Sequence, residues 1–561
     1  MILDTRWAAR VTGFAAMAAA SVLTVPSAQG QNFQDTAQSV YSALMPMHGY
    51  ASGTKTSRHL SDRNNETTVG ETGPTSVLSN SNTPRLTADG RIMFFNSTLH
   101  AGRPWARSKG KPGVYDSDIY YAICTVNADG TPRWGDPVNL GPTINTSGDD
   151  AVEAISPSGG TIYYTSLDRG WLKTNGPFYA ADLNGTEWNN VHGLGGGISS
   201  FFATDNTFKI YGCAVTADGS SFYFATTAHS ETGEQQIWVS HRINDEWEYP
   251  TNLGPNVNAP GGSFAPFIAA DGRTLYFSSA RKGGLGGDDI YVTVLKDGVW
   301  QMPANLGSQV NTAGNDTFFS IPASGDRVYL TRSDTERNEA TSIYTAKLDS
   351  QFLPSAIVLL TGTVLDKETS LPVDATVKIE DLSTNKLMQT VSGSGVDHRF
   401  AVVLQPGRDY GISVSAPGYG FYSMRYTIPS VVTYRQVQQD IRIDRIASGK
   451  TFSLNNIFFD YNSDTLRPES EPELQRLKQL LTDYSDASIL ITGHTDNIGS
   501  EQFNDQLSLR RAEAVRSYLV DITKVDPKRI RTLGLGSRHP SASNSTDEGR
   551  QRNRVVQFVV E

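Results

Sequence analysis

One short pattern recurs through the first part of the chain and limits what it can fold into. A turn ending in glycine precedes an aromatic or β-branched triplet five times. The instances are Ala88-Asp89-Gly90 before Met93-Phe94-Phe95, Ser158-Gly159 before Ile162-Tyr163-Tyr164, Ala217-Asp218-Gly219 before Phe222-Tyr223-Phe224, Ala270-Asp271-Gly272 before Leu275-Tyr276-Phe277, and Ser324-Gly325 before Val328-Tyr329-Leu330. Their glycines lie 69, 60, 53 and 53 residues apart. Trp134, Trp188, Trp247 and Trp300 follow the first four turns, and Asn-Leu-Gly-x-x-Ile/Val-Asn occurs at Asn139 to Asn145, Asn252 to Asn258 and Asn305 to Asn311. Asp-Gly supplies a positive-φ hairpin turn, and the triplets read as strands buried on both faces. A unit of about 50 residues with four short strands is a propeller blade, and ring closure removes exposed sheet edges. Six such units fit between about 35 and 352, of which five carry the turn marker.

Composition agrees with a β-rich, multidomain chain. At 561 residues there is room for three or four folded units of about 150 residues each. Charged residues reach 19%, below the usual share, while Gly (51) is plentiful, a balance of turn-rich β structure. The net charge is −10 and no basic patch is visible, which argues against a nucleic-acid partner. Residues 1–30 read as an export signal: Arg6 and Arg10, an apolar run from Val11 to Val25, then Pro26 and small residues, with cleavage after Gly30. That run is shorter than the ~20 residues a spanning helix needs, so no transmembrane segment is expected in the mature chain. Cys124 and Cys213 are too few for a disulfide framework and read as buried thiols.

The character changes twice more. Between 355 and 447, Ala375, Val377 and Ile379 alternate with Thr376, Lys378 and Glu380, and Tyr410, Ile412 and Val414 alternate before Pro417-Gly418, which predicts a small antiparallel sandwich. From 448 the period becomes helical. Leu474, Leu477 and Leu481 share a face after Arg467-Pro468-Glu469, and Ser508 is expected to open a second helix with Ala512, Val515 and Leu519 on its core side. Strands at Leu490-Ile491-Thr492 and Val555 to Val559 complete a compact α/β domain.

The repeats over 31–354 resemble TolB-type, WD-like β-propeller repeats. Gly362-Thr363-Val364, Leu371 to Ala375 and Ala416-Pro417-Gly418-Tyr419 resemble the carboxypeptidase regulatory-like domain, a transthyretin-like accessory module without zinc ligands. Over 448–561, Gly493-His494-Thr495-Asp496-Asn497-Ile498-Gly499, Asn504, Leu507 to Ala512 and Gly549 to Arg554 strongly resemble the OmpA-like peptidoglycan-binding domain. That resemblance implies that Asp496 and Arg511, the latter in the first turn of the helix Ser508 caps, hold the zwitterionic end of diaminopimelate in the stem peptide. Carboxylate for ammonium and guanidinium for carboxylate suit such a ligand. It further implies secondary roles for Asn504, Arg554 and Asp460. Val555 stands where the family usually has a second Arg. His494 reads as a packed or hydrogen-bonding residue rather than a metal ligand. The domain order is similar to that of PorE-like periplasmic anchors, although the tetratricopeptide repeats and lipid-attachment cysteine of that arrangement are missing.

No nucleophile elbow, His-Glu-x-x-His, Cys-x-x-Cys or phosphate loop occurs, and Gly283 to Gly287 lacks the Lys-Ser/Thr that a phosphate loop needs. The expectation is a non-catalytic Gram-negative envelope protein, without cofactor or metal. It would bind peptidoglycan in the periplasm, near the outer membrane, and present its propeller to another envelope protein. The alternative is a periplasmic glycan-processing or glycan-sensing enzyme that the last domain localises.

Overall fold

The computed structural model describes residues 75–561 apart from 80, 99–116, 127–131, 167–168, 171–173, 206–207, 334–340, 393–395, 431 and 461. The expected export signal lies outside the described residues. What is described is mainly β, with many antiparallel sheets and few helices.

Strand β1 (Thr75–Ser79) precedes five sheets. Their first strands are β2 (Ser81–Leu86), β3 (Asp150–Ile155), β4 (Ile210–Val215), β5 (Phe264–Ile268) and β6 (Asn315–Ser320). The fifth sheet continues to β7 (Ser342–Ala346), and β1 pairs antiparallel with β7, Thr75 opposite Thr345. Each first strand packs beside the next, and β6 packs beside β2. From β2, Arg85 reaches the carbonyls of Glu153 on β3 (2.5 Å), Phe319 on β6 (3.2 Å) and Cys213 on β4 (3.5 Å). Among the described residues there are five sheets where six units were expected; the part of the chain before β1 lies outside the described residues, and β1 itself completes the last sheet.

Every sheet carries one turn marker between its first two strands, with the marker glycines at φ of +69° to +73°, a region that side-chain-bearing residues avoid. Apart from half-buried Tyr163, the triplets behind the turns are buried, and Phe94 and Phe95 enter core clusters on opposite faces of their sheet. At about 2 kcal/mol per buried aromatic side chain, these strands dominate the stability of this region. The Asn-Leu-Gly repeat stitches three of the five sheets to the loop that follows. Asn145 accepts from Ile119 N (2.9 Å) and donates to Asn139 (3.0 Å), and Asn311 does the same with Ile290 (2.8 Å) and Asn305 (3.0 Å). Both cysteines are free; Cys213 is buried, but Cys124, near the end of its strand, is only half-buried.

Residues 358–443 form a sandwich. Val358–Gly362 lies between Phe400–Leu404 and Arg435–Gln438, while Thr376–Asp381 lies between Lys386–Ser392 and Asp409–Ser415. Val358, Leu360 and Val402 meet Val377, Ile379 and Ile412 between the sheets. The sandwich is not wholly antiparallel, because Val358–Gly362 pairs in parallel with Arg435–Gln438. On the outer face of that sheet, Leu359, Ala401 and Val403 rest on Ala88, Ala217, Ala270 and Ala323 of the marker turns.

The last domain runs β8 (Thr451–Leu454), α1 (Glu471–Asp483), β9 (Ile489–Gly493), α2 (Glu501–Ser517), β10 (Ile530–Gly534), α3 (Asp547–Asn553) and β11 (Val556–Val560). Its sheet order is β8-β11-β9-β10, with β9 and β10 parallel and β11 antiparallel to its neighbours. Leu474, Leu477 and Leu481 of α1 and Ala512 and Val515 of α2 close over Ile489, Ile491 and Phe558. Pro468 opens the approach to α1, as its fixed φ favours. The start of α2 differs from expectation. Ser500 caps it, accepting from Phe503 N at 3.3 Å, and Ser508 sits buried within the helix.

Candidate functional site

The end of β9 and one face of α2 bring the site together. A Cβ on Gly493 would stand 2.0 Å from Ser508 O, so only glycine lets the helix lie this close to the strand. Ser508 then uses its hydroxyl to receive Gly536 N (3.0 Å) and to donate to Asp505 O (2.9 Å), tying α2 to the segment after β10. Beyond the strand, His494 N donates to Val555 O (2.9 Å) and Thr495 N to Gly536 O (3.0 Å), which fixes the backbone that carries Asp496.

Asp496 is 8% exposed. One carboxylate oxygen accepts from Ile498 N at 2.9 Å and the other from Arg554 Nη1 at 2.6 Å. Asn504, buried on α2, donates to the Asp496 carbonyl at 3.3 Å. Arg511 is held differently. Its Nε donates to Ser463 O at 3.0 Å and its guanidinium lies 4.9 Å from the Phe459 ring centre, a cation–π arrangement. Both of its terminal nitrogens are without hydrogen bonds among the described residues. Burial lowers the Arg511 pKa, the like charge of Arg554 lowers it further, and Asp464 and Asp496 oppose this.

Four of the five expected residues thus converge, with two differences from the sequence reading. Arg511 lies well inside α2, so it is not in the first turn and no Ser508 cap supplies helix-end N–H groups beside it. Asp496 is paired with Arg554 rather than with Arg511. Asp460 contributes through its backbone. Its amide donates to Thr465 O (3.2 Å) and its carbonyl accepts from Ser463 N (3.1 Å), closing the turn whose Ser463 carbonyl holds Arg511. Its exposed carboxylate joins no hydrogen bond of the cluster. Ser463 and Phe459 were not foreseen; an aromatic pair at Phe458-Phe459 before a polar loop was the available signal. His494 is buried beside Thr492 Oγ1 (3.3 Å), and burial lowers its pKa, as suits a packed, neutral histidine. Among the described residues no group of three or more His, Cys, Asp or Glu is placed to hold a metal, and no helix is long and apolar enough to cross a membrane.

A model of the OmpA family matches residues 458–554, from the residue before the Phe459 ring to Arg554 itself. The C-terminal part of the chain is an OmpA family domain. Outer membrane protein A of Bordetella avium is 44% identical over 103 residues, 18% of this chain and 53% of that protein. The peptidoglycan-binding protein ArfA of Mycobacterium bovis is 44% identical over 104 residues, 18% of this chain and 32% of that one. The chain therefore spans about half the length of the first relative and less of the second. Among solved structures, the peptidoglycan-associated lipoprotein from Burkholderia pseudomallei aligns with 30% identity and a TM-score of 0.18, covering 19% of this chain and 88% of that chain. In the OmpA family domain the whole Asp496, Asn504, Arg511 and Arg554 cluster falls inside the matched span.

Proposed function

We propose that this chain is a non-catalytic envelope protein of a Gram-negative periplasm that grips peptidoglycan non-covalently through its OmpA family domain. The observation that carries the reading is the Asp496 carboxylate, nearly buried and closed by the Arg554 guanidinium at 2.6 Å. A cation already occupies the place where a ligand ammonium would sit. On binding, the ammonium of diaminopimelate replaces Arg554 at Asp496. Arg511, with two open donor nitrogens, takes the ligand carboxylate as a planar fork. Asn504 keeps the Asp496 backbone in place during the exchange. We further propose that the five sheets are blades of a TolB/WD-like ring closed by the pairing of β1 with β7, and that residues 355–447 are a carboxypeptidase regulatory-like module. In this reading the ring presents a surface to an outer-membrane or periplasmic protein.

Co-sedimentation with purified sacculi tests the central claim. Asp496→Ala and Arg511→Ala should each weaken binding by about tenfold or more, the scale of losing a charged hydrogen bond. Free diaminopimelate should compete with the wild type. Lysine-type sacculi, which lack the carboxylate that Arg511 reads, should bind more weakly. Undiminished binding by both variants would sink the pocket assignment.

A further inference from the structure

The third sheet departs from the repeat at one place. In the first and fourth sheets the third strand opens Asp-Ile-Tyr, and Asn139 or Asn305 donates to its buried aspartate, Asp118 at 3.0 Å or Asp289 at 2.9 Å. In the third sheet that strand, Gln236–Ile243, opens Gln236-Ile237-Trp238. Asn252 donates to Gln236 Oε1 at 2.9 Å and stands opposite Trp238 across the strands, which puts these three side chains on one face. Tyr120 and Tyr291 are buried, whereas Trp238 is partly exposed; its Nε1 is buried, so what the side chain opens to solvent is ring carbon. A short helix before this sheet, Gly196–Ala203, supplies Phe201. The buried Phe201 ring gathers three others, with centres at 4.4 Å (His229), 4.9 Å (Trp238) and 5.6 Å (Tyr249). His229 is exposed, and Tyr249 is 54% exposed. Polar atoms beside these rings are open. His229 Nε2 donates to Phe201 O (3.1 Å), which leaves Nδ1 of the neutral ring as an acceptor. Gln236 Nε2 and the Tyr249 hydroxyl join no hydrogen bond among the described residues.

We propose that this face of the third sheet binds a neutral pyranose oligosaccharide. The C–H face of one sugar ring lies on the Trp238 ring beside Tyr249, since aromatic faces are negative and attract C–H groups. Its hydroxyls both donate and accept, and so suit the donor Gln236 Nε2, the acceptor His229 Nδ1 and the Tyr249 hydroxyl together. Glu234 and Glu248 on the same segments disfavour an anionic ligand. An organic cation would suit the rings but give Gln236 Nε2 no acceptor.

Titration calorimetry on the full chain decides the matter, with chitotriose, cellotriose and maltotriose as probes and tetramethylammonium as the cation control. At least one sugar is expected to bind, and tetramethylammonium to give no saturable heat. Tyr249→Ala, which removes a ring that is mostly in solvent, should weaken sugar binding about tenfold, and Trp238→Ala at least as much. Gln236→Asp restores the residue of the other repeats and still receives Asn252, but it loses the donor and should weaken binding about fivefold. Asp496→Ala should change nothing, which separates this site from the peptidoglycan pocket. Failure of all three sugars to bind, wild-type affinity in Tyr249→Ala or Gln236→Asp, loss of binding in Asp496→Ala, or saturable binding of tetramethylammonium would each overturn the proposal. Should Trp238→Ala melt early, Tyr249→Ala and Gln236→Asp still decide it.

Discussion

Glu153 is a case where a single side chain sets a measurable property of the molecule. It lies buried where the first strands of the five sheets converge, with one oxygen 3.3 Å from Thr165 Oγ1 and the other unpartnered, and burial pushes its pKa up to about 7. The folded state therefore holds a proton between about pH 4.5 and 7 that the unfolded chain has released, so this group's contribution to stability falls as pH rises through that window. Asp150, also pushed to about 7 by burial, acts with the same sign. Glu153→Gln should flatten the fall in melting temperature between pH 5 and pH 8, and an unchanged slope would show that Glu153 is not the titrating group. At this scale the sequence pointed to Asp496, Asn504, Arg511 and Arg554, polar side chains that the fold brings close together. Ser463 was not legible, because it acts through its backbone carbonyl, which leaves no trace in residue identity. Phe459 was overlooked because the neighbouring Asp460 looked more like chemistry.

Among the elements, α2 shows where a start signal misleads. Ser508 precedes an apolar period and has the chemistry of a cap, yet its hydroxyl ties α2 to the segment after β10, and Ser500 takes the cap eight residues earlier. Ser500→Ala should cost about 1 kcal/mol, seen as a lower denaturation midpoint with an unchanged denaturant slope. A loss near zero would show the cap to be redundant. The marker turns were legible as turns from their Asp-Gly and Ser-Gly pairs alone, and all five glycines adopt the positive φ that this requires. Their alanines were not legible as contacts, since their partners Leu359, Ala401 and Val403 come from a different module far along the chain. Ala270→Asp places a charge against that apolar seam, in addition to Asp271 beside it. We expect it to expose the seam to protease in limited digestion while the strands on either side keep their circular dichroism, whereas an unaltered digestion pattern would refute the seam's role.

Across the whole molecule, the sequence divides cleanly into regions but says little about how they are joined. Glu380 looked like a solvent-facing residue in an alternating strand. It is instead covered by the last domain, where Arg476 Nη1 meets it at 2.7 Å while Arg476 Nη2 meets Glu473 at 2.7 Å, and Glu473 also hydrogen-bonds Ser423. Phe421 of the sandwich stacks into the last domain's core 6.0 Å from Phe558, and Gly420 lies where any Cβ would strike the Phe452 ring. Breaking one member of a buried ionic group leaves an uncompensated charge. Glu380→Ala should therefore cost about 3 kcal/mol and split a single thermal transition into two, which calorimetry would register. A loose tether would pass on only the fact of attachment, but a stack joined by buried ion pairs and shared aromatic cores also passes on direction and twist. Under the proposed function, whatever docks on the ring would be held at a set bearing to the cell wall and would feel its strain.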